Sequence, residues 1–516
     1  MTRFLVCALL TTMTVLGMES SPTTVPTDKA SLVTFNKDVL PVLQENCQSC
    51  HRPGGIAPMA LLTYEGTRPW AKAIKTAVLN KQMPPWFADP HVGEFRNAPK
   101  ITQSDINTLV AWADSGASEG NAADKPAARE WAEGWRIQPD VVVGMTEPFK
   151  VSANGAGEIR EFFIPNPFTE DTWVSSIEIR PSDPSVVHHV IVQVPEQVNT
   201  RGVASVTVFA NETGQQATPK EQATAQLQFL AAQQASAAAA NDARQVLLVA
   251  NGLSAQRSGG FSSYSDLQVR LQERRTGQGA FMTMEAIYAP GSSPLDFRFT
   301  DSAKLIRGGF PIRIEVHYTP NGKATVDQTK IGFTLAKAPA QRRFIIMAPE
   351  HMANTGKPIP AGDANYETSG ELTFNQDADL VWFMPHMHLR GKDMTYRLVY
   401  PDGQEKTALS VKYNFNWQLG YEVQEPIKVT KGTRMIVTAH HDNSLNNPMN
   451  PTPGAAVAWG EMTSQEMMLP WFGVVVDRDA KPETIATYRP GDMDSPIQNL
   501  PLVGGNVLGL INVLKK

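Results

Sequence analysis

One cysteine and histidine motif has the spacing of a covalent haem attachment site. Cys47, Cys50 and His51 form the pattern Cys-x-x-Cys-His in a chain of 516 residues that contains three cysteines. In this pattern the two thiols form thioethers with the haem vinyl groups, and the histidine ligates the iron. The alternative is a redox dithiol or a zinc site, but no second cysteine pair exists to complete a zinc site. The motif therefore predicts one c-type haem.

A haem that only transfers electrons needs a second axial ligand, and three side chains are candidates. Met83 follows the motif in the segment Lys-Gln-Met-Pro-Pro-Trp, which its two prolines stiffen. Met59 and His91 are the alternatives. Methionine ligation raises the reduction potential of a haem. We therefore predict Met83 as the second ligand and leave Met59 and His91 open.

Five further histidines fall into three short groups: His188 with His189, His317 alone, and His386 with His388. Alternation along a strand puts His386 and His388 on one face, and it puts His317 opposite the aliphatic side chains of its own strand. The adjacent pair can share a metal only at a β-bulge or a strand end. Imidazoles with a nearby thioether suit copper, particularly Cu(I). The alternative is a set of unrelated core or surface histidines.

The composition and the N-terminus limit the class of protein. The length favours about three domains, and a net charge of -5 with 19% charged residues gives no reason to expect a nucleic-acid partner. An apolar run from Phe4 to Leu16 predicts a signal peptide at 1–20, followed by a linker at 21–31, and hence export to the periplasm or the outside. Removal of Cys7 with the signal would leave only the haem cysteines, which excludes a disulfide framework.

The remaining pattern predicts a multidomain chain. A helical pattern, with a capping box at Thr102 and Asp105, predicts a small all-α cytochrome c domain. Short, alternating β-branched runs predict two antiparallel β-sandwich domains farther along the chain. The predicted boundaries are a cytochrome domain at 32–122, a linker at 123–136, β-sandwiches at 137–338 and 339–480, and a tail at 481–516, with an Ala/Gln-rich insertion at 215–241.

Five segments, taken in order, resemble the copper type II ascorbate-dependent monooxygenases, the family of peptidylglycine α-hydroxylating monooxygenase and dopamine β-monooxygenase. They are Val187-His-His-Val190, Ile287-Tyr-Ala-Pro-Gly291, Ile314-Glu-Val-His-Tyr318, Pro385-His-Met-His-Leu-Arg-Gly391 and Thr463-Ser-Gln-Glu-Met-Met468. The resemblance implies two consecutive jelly-roll-like β-sandwich domains, each with one copper ion, on either side of a solvent-filled cleft.

The resemblance also assigns ligands to two copper ions. It implies that His188, His189 and His317 bind an electron-transfer copper. It implies that His386, His388 and Met467 bind the catalytic copper, with Met462 and Met468 as alternatives to Met467.

The chain departs from the family where the peptide enzyme holds its substrate. Met384 stands where that enzyme has a carboxylate-binding arginine, and Leu469 and Trp471 replace polar contacts. We therefore expect a small organic substrate rather than a glycine-extended peptide.

The expected function is an exported haem- and copper-containing monooxygenase that hydroxylates a C–H bond with O2. The fused cytochrome would relay electrons to the two copper ions from ascorbate or a redox protein. The alternatives are a non-catalytic haem and copper protein for electron transfer or copper binding, and a metal-free binding module.

Overall fold

The computed structural model describes most of the chain between residues 32 and 488. The described ranges are 32–131, 134–155, 157–194, 204–210, 267–273, 281–309, 311–338, 340–349, 357–460 and 463–488. The predicted signal peptide, the 21–31 linker, the 215–241 insertion, Met462 and all but the first residues of the predicted tail lie outside them. Within these ranges, no helix has the length and apolar character needed to cross a membrane.

Short helices form the N-terminal part of the described chain. The longest begins with the predicted capping box, which is confirmed: the Thr102 hydroxyl accepts a hydrogen bond from the Asp105 N–H, and the Asp105 carboxylate accepts one from the Thr102 N–H. Phe35, Leu43 and Trp112 are fully buried at the centre of this part. The elements are a π-helical turn Phe35–Val39, α1 Leu40–Asn46, α2 Tyr64–Thr67, a 3-10 turn Arg68–Trp70, α3 Ala71–Leu79, α4 Gln103–Asp114 and a 3-10 turn Ala122–Asp124.

The described chain after these helices consists mainly of strands, and we call it the β region. Its first half, which ends with β14, contains sheets I and II. Sheet I has the order β1-β14-β4-β10, with β11 also paired to β4, and sheet II has the order β3-β12-β5-β9. All of these pairs are antiparallel. The strands are β1 Val141–Gly144, β2 Phe149–Val151, β3 Glu158–Ile164, β4 Thr172–Arg180, β5 Val187–Gln193, β6 Ala204–Ala210, β7 Leu267–Glu273, β8 Phe281–Met284, β9 Ala286–Tyr288, β10 Leu295–Asp296, β11 Lys304–Ile306, β12 Ile312–Tyr318, β13 Thr325–Asp327 and β14 Lys330–Leu335, with a 3-10 turn at Phe297–Thr300.

Two five-stranded antiparallel sheets form the second half. Sheet III has the order β20-β17-β22-β15-β8, and sheet IV has the order β19-β18-β21-β16-β23. The pairs β2-β13 and β6-β7 form two separate two-stranded sheets. The remaining elements are β15 Arg342–Pro349, β16 Tyr366–Phe374, β17 Ala378–Met387, β18 Gly391–Val399, β19 Glu405–Lys412, β20 Tyr421–Val429, β21 Arg434–His441, β22 Met468–Asp477, α5 Pro482–Ile485 and β23 Ala486–Tyr488.

Strand β17 is buried along its whole length because each of its faces packs into a different core. Phe383 and Met387 lie in the core that sheets III and IV share. Trp382 and Met384 lie in the core that holds the side chains of sheets I and II. The face of β17 that carries Trp382 and Met384 therefore turns toward the first half of the β region.

The predicted fold class is wrong. Strands make up 38% of the chain and helices only 14%, and the described helices are short elements of 4 to 12 residues. The strands form several antiparallel sheets that do not follow the predicted order of an all-helical domain and two consecutive sandwiches. Strand β8, from the predicted first sandwich, pairs with β15 in sheet III. The alternation of side chains predicts strands, but it does not determine which strands pair.

The chain between α3 and α4 also crosses a predicted boundary. Residues 86–97, which we call the strap, lie along the edges of β19 and β20. Ala88 forms an antiparallel bridge with Val411, and Phe95 forms one with Val423. The strap therefore contributes to the sheets of the second half, although it belongs to the predicted cytochrome domain.

Side chains reinforce the strap at its C-terminal end. The Arg96 guanidinium lies 2.5 Å from the Glu422 carboxylate. The Asn97 side chain donates a 2.7 Å hydrogen bond to the Gly420 carbonyl, and it accepts one of 2.9 Å from the Glu422 N–H. These contacts fix the strap to β20 and to the residue that precedes it.

Candidate metal centre

A β-bulge at the start of β5 brings the adjacent histidines toward one site. His317 on β12 pairs with His189, and the next residue, Tyr318, pairs with Val187, so His188 is the extra residue of the bulge. The ring centroids lie 5.3 Å apart for His188 and His189, and 3.7 Å apart for His189 and His317. The bulge that joint ligation requires is confirmed.

The other two histidines reach the same place from β17. The ring centroids of His386 and His388 lie 5.4 Å apart, and the His386 ring stacks on Trp471 at 4.7 Å. The centroid of His386 also lies 5.4 Å from that of His189. Histidines from both halves of the β region therefore form one group. We call this group the histidine cluster, and its members are His188, His189, His317, His386 and His388.

Three rings of the cluster place one nitrogen against a hydrogen-bond-accepting oxygen atom. The His386 Nδ1 lies 2.6 Å from the Gln418 Oε1, and the His388 Nδ1 lies 3.1 Å from the Gln465 carbonyl oxygen. The His317 Nε2 lies 2.9 Å from a Glu315 carboxylate oxygen. Each oxygen accepts the ring N–H, so the opposite nitrogen keeps its lone pair. Metal-ligating histidines show this pattern.

His189 is the least satisfied member of the cluster. Its side chain is only 2% exposed, and neither of its ring nitrogens has a hydrogen-bond partner in the part of the chain that the structure describes. A buried polar group without a partner costs about 1 to 3 kcal/mol. A metal ion bound to one nitrogen would use a lone pair that the protein leaves unused, so the site fits a metal.

Burial keeps four rings of the cluster uncharged. It lowers the pKa of His188 to about 3 and the pKa of His386 to about 4, with neighbouring histidines as further causes for both. It also lowers the pKa of His189 and of His388 well below the usual value. Neutral imidazole is the form that binds metals, and imidazole with thioether favours copper.

The strand register favours Met467 over Met468 as the thioether ligand. Met468 pairs with Met387, and both side chains are buried in the core of sheets III and IV. The next pair in this antiparallel register is His388 and Met467, whose side chains would share a face. Met462 lies outside the described residues.

A buried carboxylate holds the backbone around these two residues. Glu466 is fully buried. Its carboxylate oxygens accept hydrogen bonds from the N–H groups of His388, Arg390 and Met467, at 3.1, 2.6 and 3.4 Å. Glu466 therefore ties the end of β17 to the start of β22.

The cluster is not already arranged as a metal site. Among the described residues, no group of three or more histidine, cysteine, aspartate or glutamate side chains is placed to hold one metal ion. The rings of His189 and His317 pack against each other with an angle of 35° between their planes. Rotation of these rings would have to accompany metal binding.

The haem motif lies at the end of α1. The Cys50 and His51 N–H groups donate hydrogen bonds to the Cys47 carbonyl, and the His51 Nδ1 lies 3.3 Å from the Met59 carbonyl oxygen. If Nδ1 carries the proton, Nε2 is free for iron, as in haem-ligating histidines. Burial, with Cys50 as the next cause, raises the pKa of the Cys47 thiol to about 12. An uncharged thiol disfavours the redox dithiol alternative.

The contact between the His51 Nδ1 and the Met59 carbonyl also helps to identify the second haem ligand. The Met59 carbonyl lies beside the His51 nitrogen that faces away from the iron position, and the Met59 side chain packs against the helical core. Met83 lies just before the strap and is half-buried. This placement disfavours Met59 and leaves Met83 and His91 as the candidates.

Replacing Met83 with alanine is expected to lower the haem reduction potential and to remove the absorption band of methionine-ligated ferric haem, because a ligand that favours ferrous iron less than the thioether does would replace it. Met59→Leu is the matched control and should keep both properties. Spectroelectrochemical titration of the full chain measures both variants. An unchanged potential in Met83→Ala, or a loss of the band in Met59→Leu, would contradict the assignment.

Sequence reasoning missed the roles of several residues of the site. Gln418 lies in no motif, yet it contacts two histidines of the cluster. The roles of Glu315 and Glu466 depend on a strand partner and on a chain crossing, which periodicity does not reveal. His440 and His441 lie on β21 outside the cluster: His440 bonds to Asp393, and His441 lies near the Met467 carbonyl.

Comparisons with known proteins give no family. No model of a known protein family matches the chain, and no curated protein matches it. Solved structures with weak similarity include the VP2 subviral particle of infectious bursal disease virus (8% identity, 71% of this chain, 80% of that chain, TM-score 0.15) and the tandem CBM22 domains of Paenibacillus barcinonensis Xyn10C (8%, 68%, 100%, TM-score 0.12). At such TM-scores neither structure informs on the fold or the function.

Proposed function

We propose that the chain is an exported haem- and copper-containing monooxygenase, which hydroxylates a C–H bond of a small organic substrate with O2. The observation that carries the proposal is His189, a buried imidazole in the histidine cluster whose two nitrogens have no hydrogen-bond partner among the described residues. The resemblance to the copper type II ascorbate-dependent monooxygenases supports the same residues. Export follows from the N-terminal apolar run in the sequence.

Two sets of residues would hold the copper ions. His188, His189 and His317 would hold the electron-transfer ion, and His386, His388 and Met467 would hold the catalytic ion. Copper would supply the electrons and the activation of O2.

The protein's own groups orient these ligands. Glu315 fixes the ring of His317, and the Gln465 carbonyl fixes the ring of His388. Glu466 holds the backbone of His388 and Met467 in register. Outer hydrogen bonds of this kind select the nitrogen that faces the metal.

The surroundings of the pair His386 and His388 favour an apolar substrate. Trp471 stacks on His386 and is 2% exposed, and Met384 on the same face of β17 is 1% exposed. Such side chains exclude water and give no charged partner for a substrate carboxylate. A small, apolar or weakly polar organic molecule is therefore the proposed substrate, rather than a glycine-extended peptide.

The haem-motif region would supply electrons from ascorbate or a redox protein. Cys47 and Cys50 would hold the haem covalently, with His51 and Met83 as axial ligands. A haem supplies one-electron redox chemistry. The strap joins this region to the second half of the β region, and such a tether would raise the effective concentration of the haem near the copper ions.

Metal analysis of the full chain, combined with oxygen uptake, tests the proposal. We expect one haem iron and two copper ions per chain, and faster O2 consumption by the ascorbate-reduced protein when small organic substrates are added. Haem iron alone would overturn the proposal in favour of a metal-free binding module. Two copper ions without substrate-dependent O2 consumption would favour an electron-transfer or copper-binding protein.

A further inference from the structure

Gln418 joins the two histidine groups to which the two copper ions are assigned. It lies between β19 and β20, and its side chain is buried, with 2% of the residue exposed. Its Oε1 lies 2.6 Å from the His386 Nδ1, and its Nε2 lies 2.9 Å from the His188 Nε2. One amide therefore bonds to a ligand of each proposed copper site.

The chemistry of the amide makes these two bonds unequal. An amide oxygen only accepts hydrogen bonds, and an amide NH2 only donates them. His386 must therefore donate from Nδ1, so its Nε2 keeps a free lone pair. His188 must accept at Nε2, so its proton lies on Nδ1. His386 can then bind a metal through Nε2, whereas neither nitrogen of His188 has a free lone pair.

The opposite orientation of the amide reverses the outcome. If the Gln418 NH2 faced His386, the His386 Nδ1 would accept and its proton would lie on Nε2. The His188 Nε2 would then donate to Oε1, which frees its Nδ1. In either orientation only one of the two rings can bind a metal while both bonds hold.

On the basis of the proposed function, we propose that Gln418 is a positioning residue that makes the two copper sites compete. Filling the first site is compatible with the bridging amide. Filling the second site requires that Gln418 release one histidine. The packed rings and the lack of a ready three-ligand group among the described residues agree with a metal-free state that this bridge holds together.

The proposal predicts two classes of copper affinity in the parent protein. A carboxylate at position 418 would accept a hydrogen bond from each ring, so both histidines would keep a free nitrogen. Gln418→Glu should therefore bind the second copper ion about tenfold more tightly, since one competing hydrogen bond is removed. Gln424→Glu, at an exposed glutamine of β20, adds the same charge away from the cluster and serves as the control.

Calorimetric titration of the haem-loaded full chain with copper distinguishes the outcomes. We expect unequal sites in the parent protein and in Gln424→Glu, and a stronger second site in Gln418→Glu. Equal affinities in the parent protein, or identical titrations of the two glutamate variants, would overturn the role of Gln418. A parent protein that binds no copper would instead overturn the proposed function.

Histidine nitrogen NMR of the metal-free protein gives a second readout that does not depend on activity. The bridge requires that His188 and His386 carry their protons on the same type of nitrogen, whichever way the amide points. In Gln418→Glu the two rings should differ, with the proton on Nδ1 of His386 and on Nε2 of His188. Different tautomers in the parent protein would contradict the bridge.

Discussion

The His386→Ala variant is expected to lose copper-dependent O2 consumption completely, while its haem spectrum stays that of the parent protein. His386 is a proposed ligand of the catalytic copper, and its ring lies between Trp471 and the rest of the histidine cluster. Alanine removes both the lone pair and the stacked ring. The haem motif follows α1 and lies beside a separate helical core, so the haem should be unaffected.

Oxygen uptake, copper content and the haem spectrum of the same preparation measure this result. His440→Ala is the matched control, because His440 lies on β21 beside Asp393 and outside the cluster. It should keep substrate-dependent O2 consumption. Normal O2 consumption in His386→Ala would remove His386 from the catalytic centre, and an altered haem spectrum would show that the substitution disturbs the helical region as well.

The His189→Leu variant is expected to have opposite effects on the metal-free and the copper-loaded protein. In the metal-free protein, leucine removes a buried imidazole whose two nitrogens have no partner within the described ranges. The free energy of unfolding should therefore rise by about 1 to 3 kcal/mol. Free copper at 100 times its dissociation constant should raise the free energy of unfolding of the parent protein by about 2.7 kcal/mol for one bound ion. The variant should lack the stabilisation that comes from the copper site to which His189 belongs.

Thermal or denaturant unfolding with and without copper measures both effects. His440→Leu, at a partly exposed histidine with carboxylate neighbours, controls for the change of side chain. It should not raise the stability of the metal-free protein, and it should keep the stabilisation by copper. A less stable metal-free His189→Leu protein would mean that the imidazole is satisfied in the fold and not reserved for a metal.

The local features of the site could be predicted from the sequence. The alternation in β17 puts His386 and His388 on one face, and in the structure the His386 ring stacks on Trp471, which lies in the same core as Trp382 and Met384. The adjacent pair His188 and His189 predicts a bulge because neighbours on a regular strand diverge. Both inferences use only a few consecutive residues.

The long-range features could not be predicted in this way. The contact of Gln418 with His188 joins residues 230 positions apart in the sequence. The pairing of β8 with β15 crosses the predicted domain boundary. Such contacts depend on which strands pair and how sheets pack, and alternation carries no information on either. The predicted fold class failed for this reason, while the strands themselves were recognisable.

The strap also has a consequence for how the chain folds. Arg96 bonds to Glu422 across 326 residues of sequence, and contacts of such separation form slowly because a long loop must close first. Trp86, Phe87 and Phe95 pack against the core of sheets III and IV. Sheets III and IV therefore complete their core with side chains of the strap, which is synthesised before them. Deletion of the chain up to and including the strap would expose the apolar surface on which these three aromatic side chains pack. Such a truncated protein would be prone to aggregate.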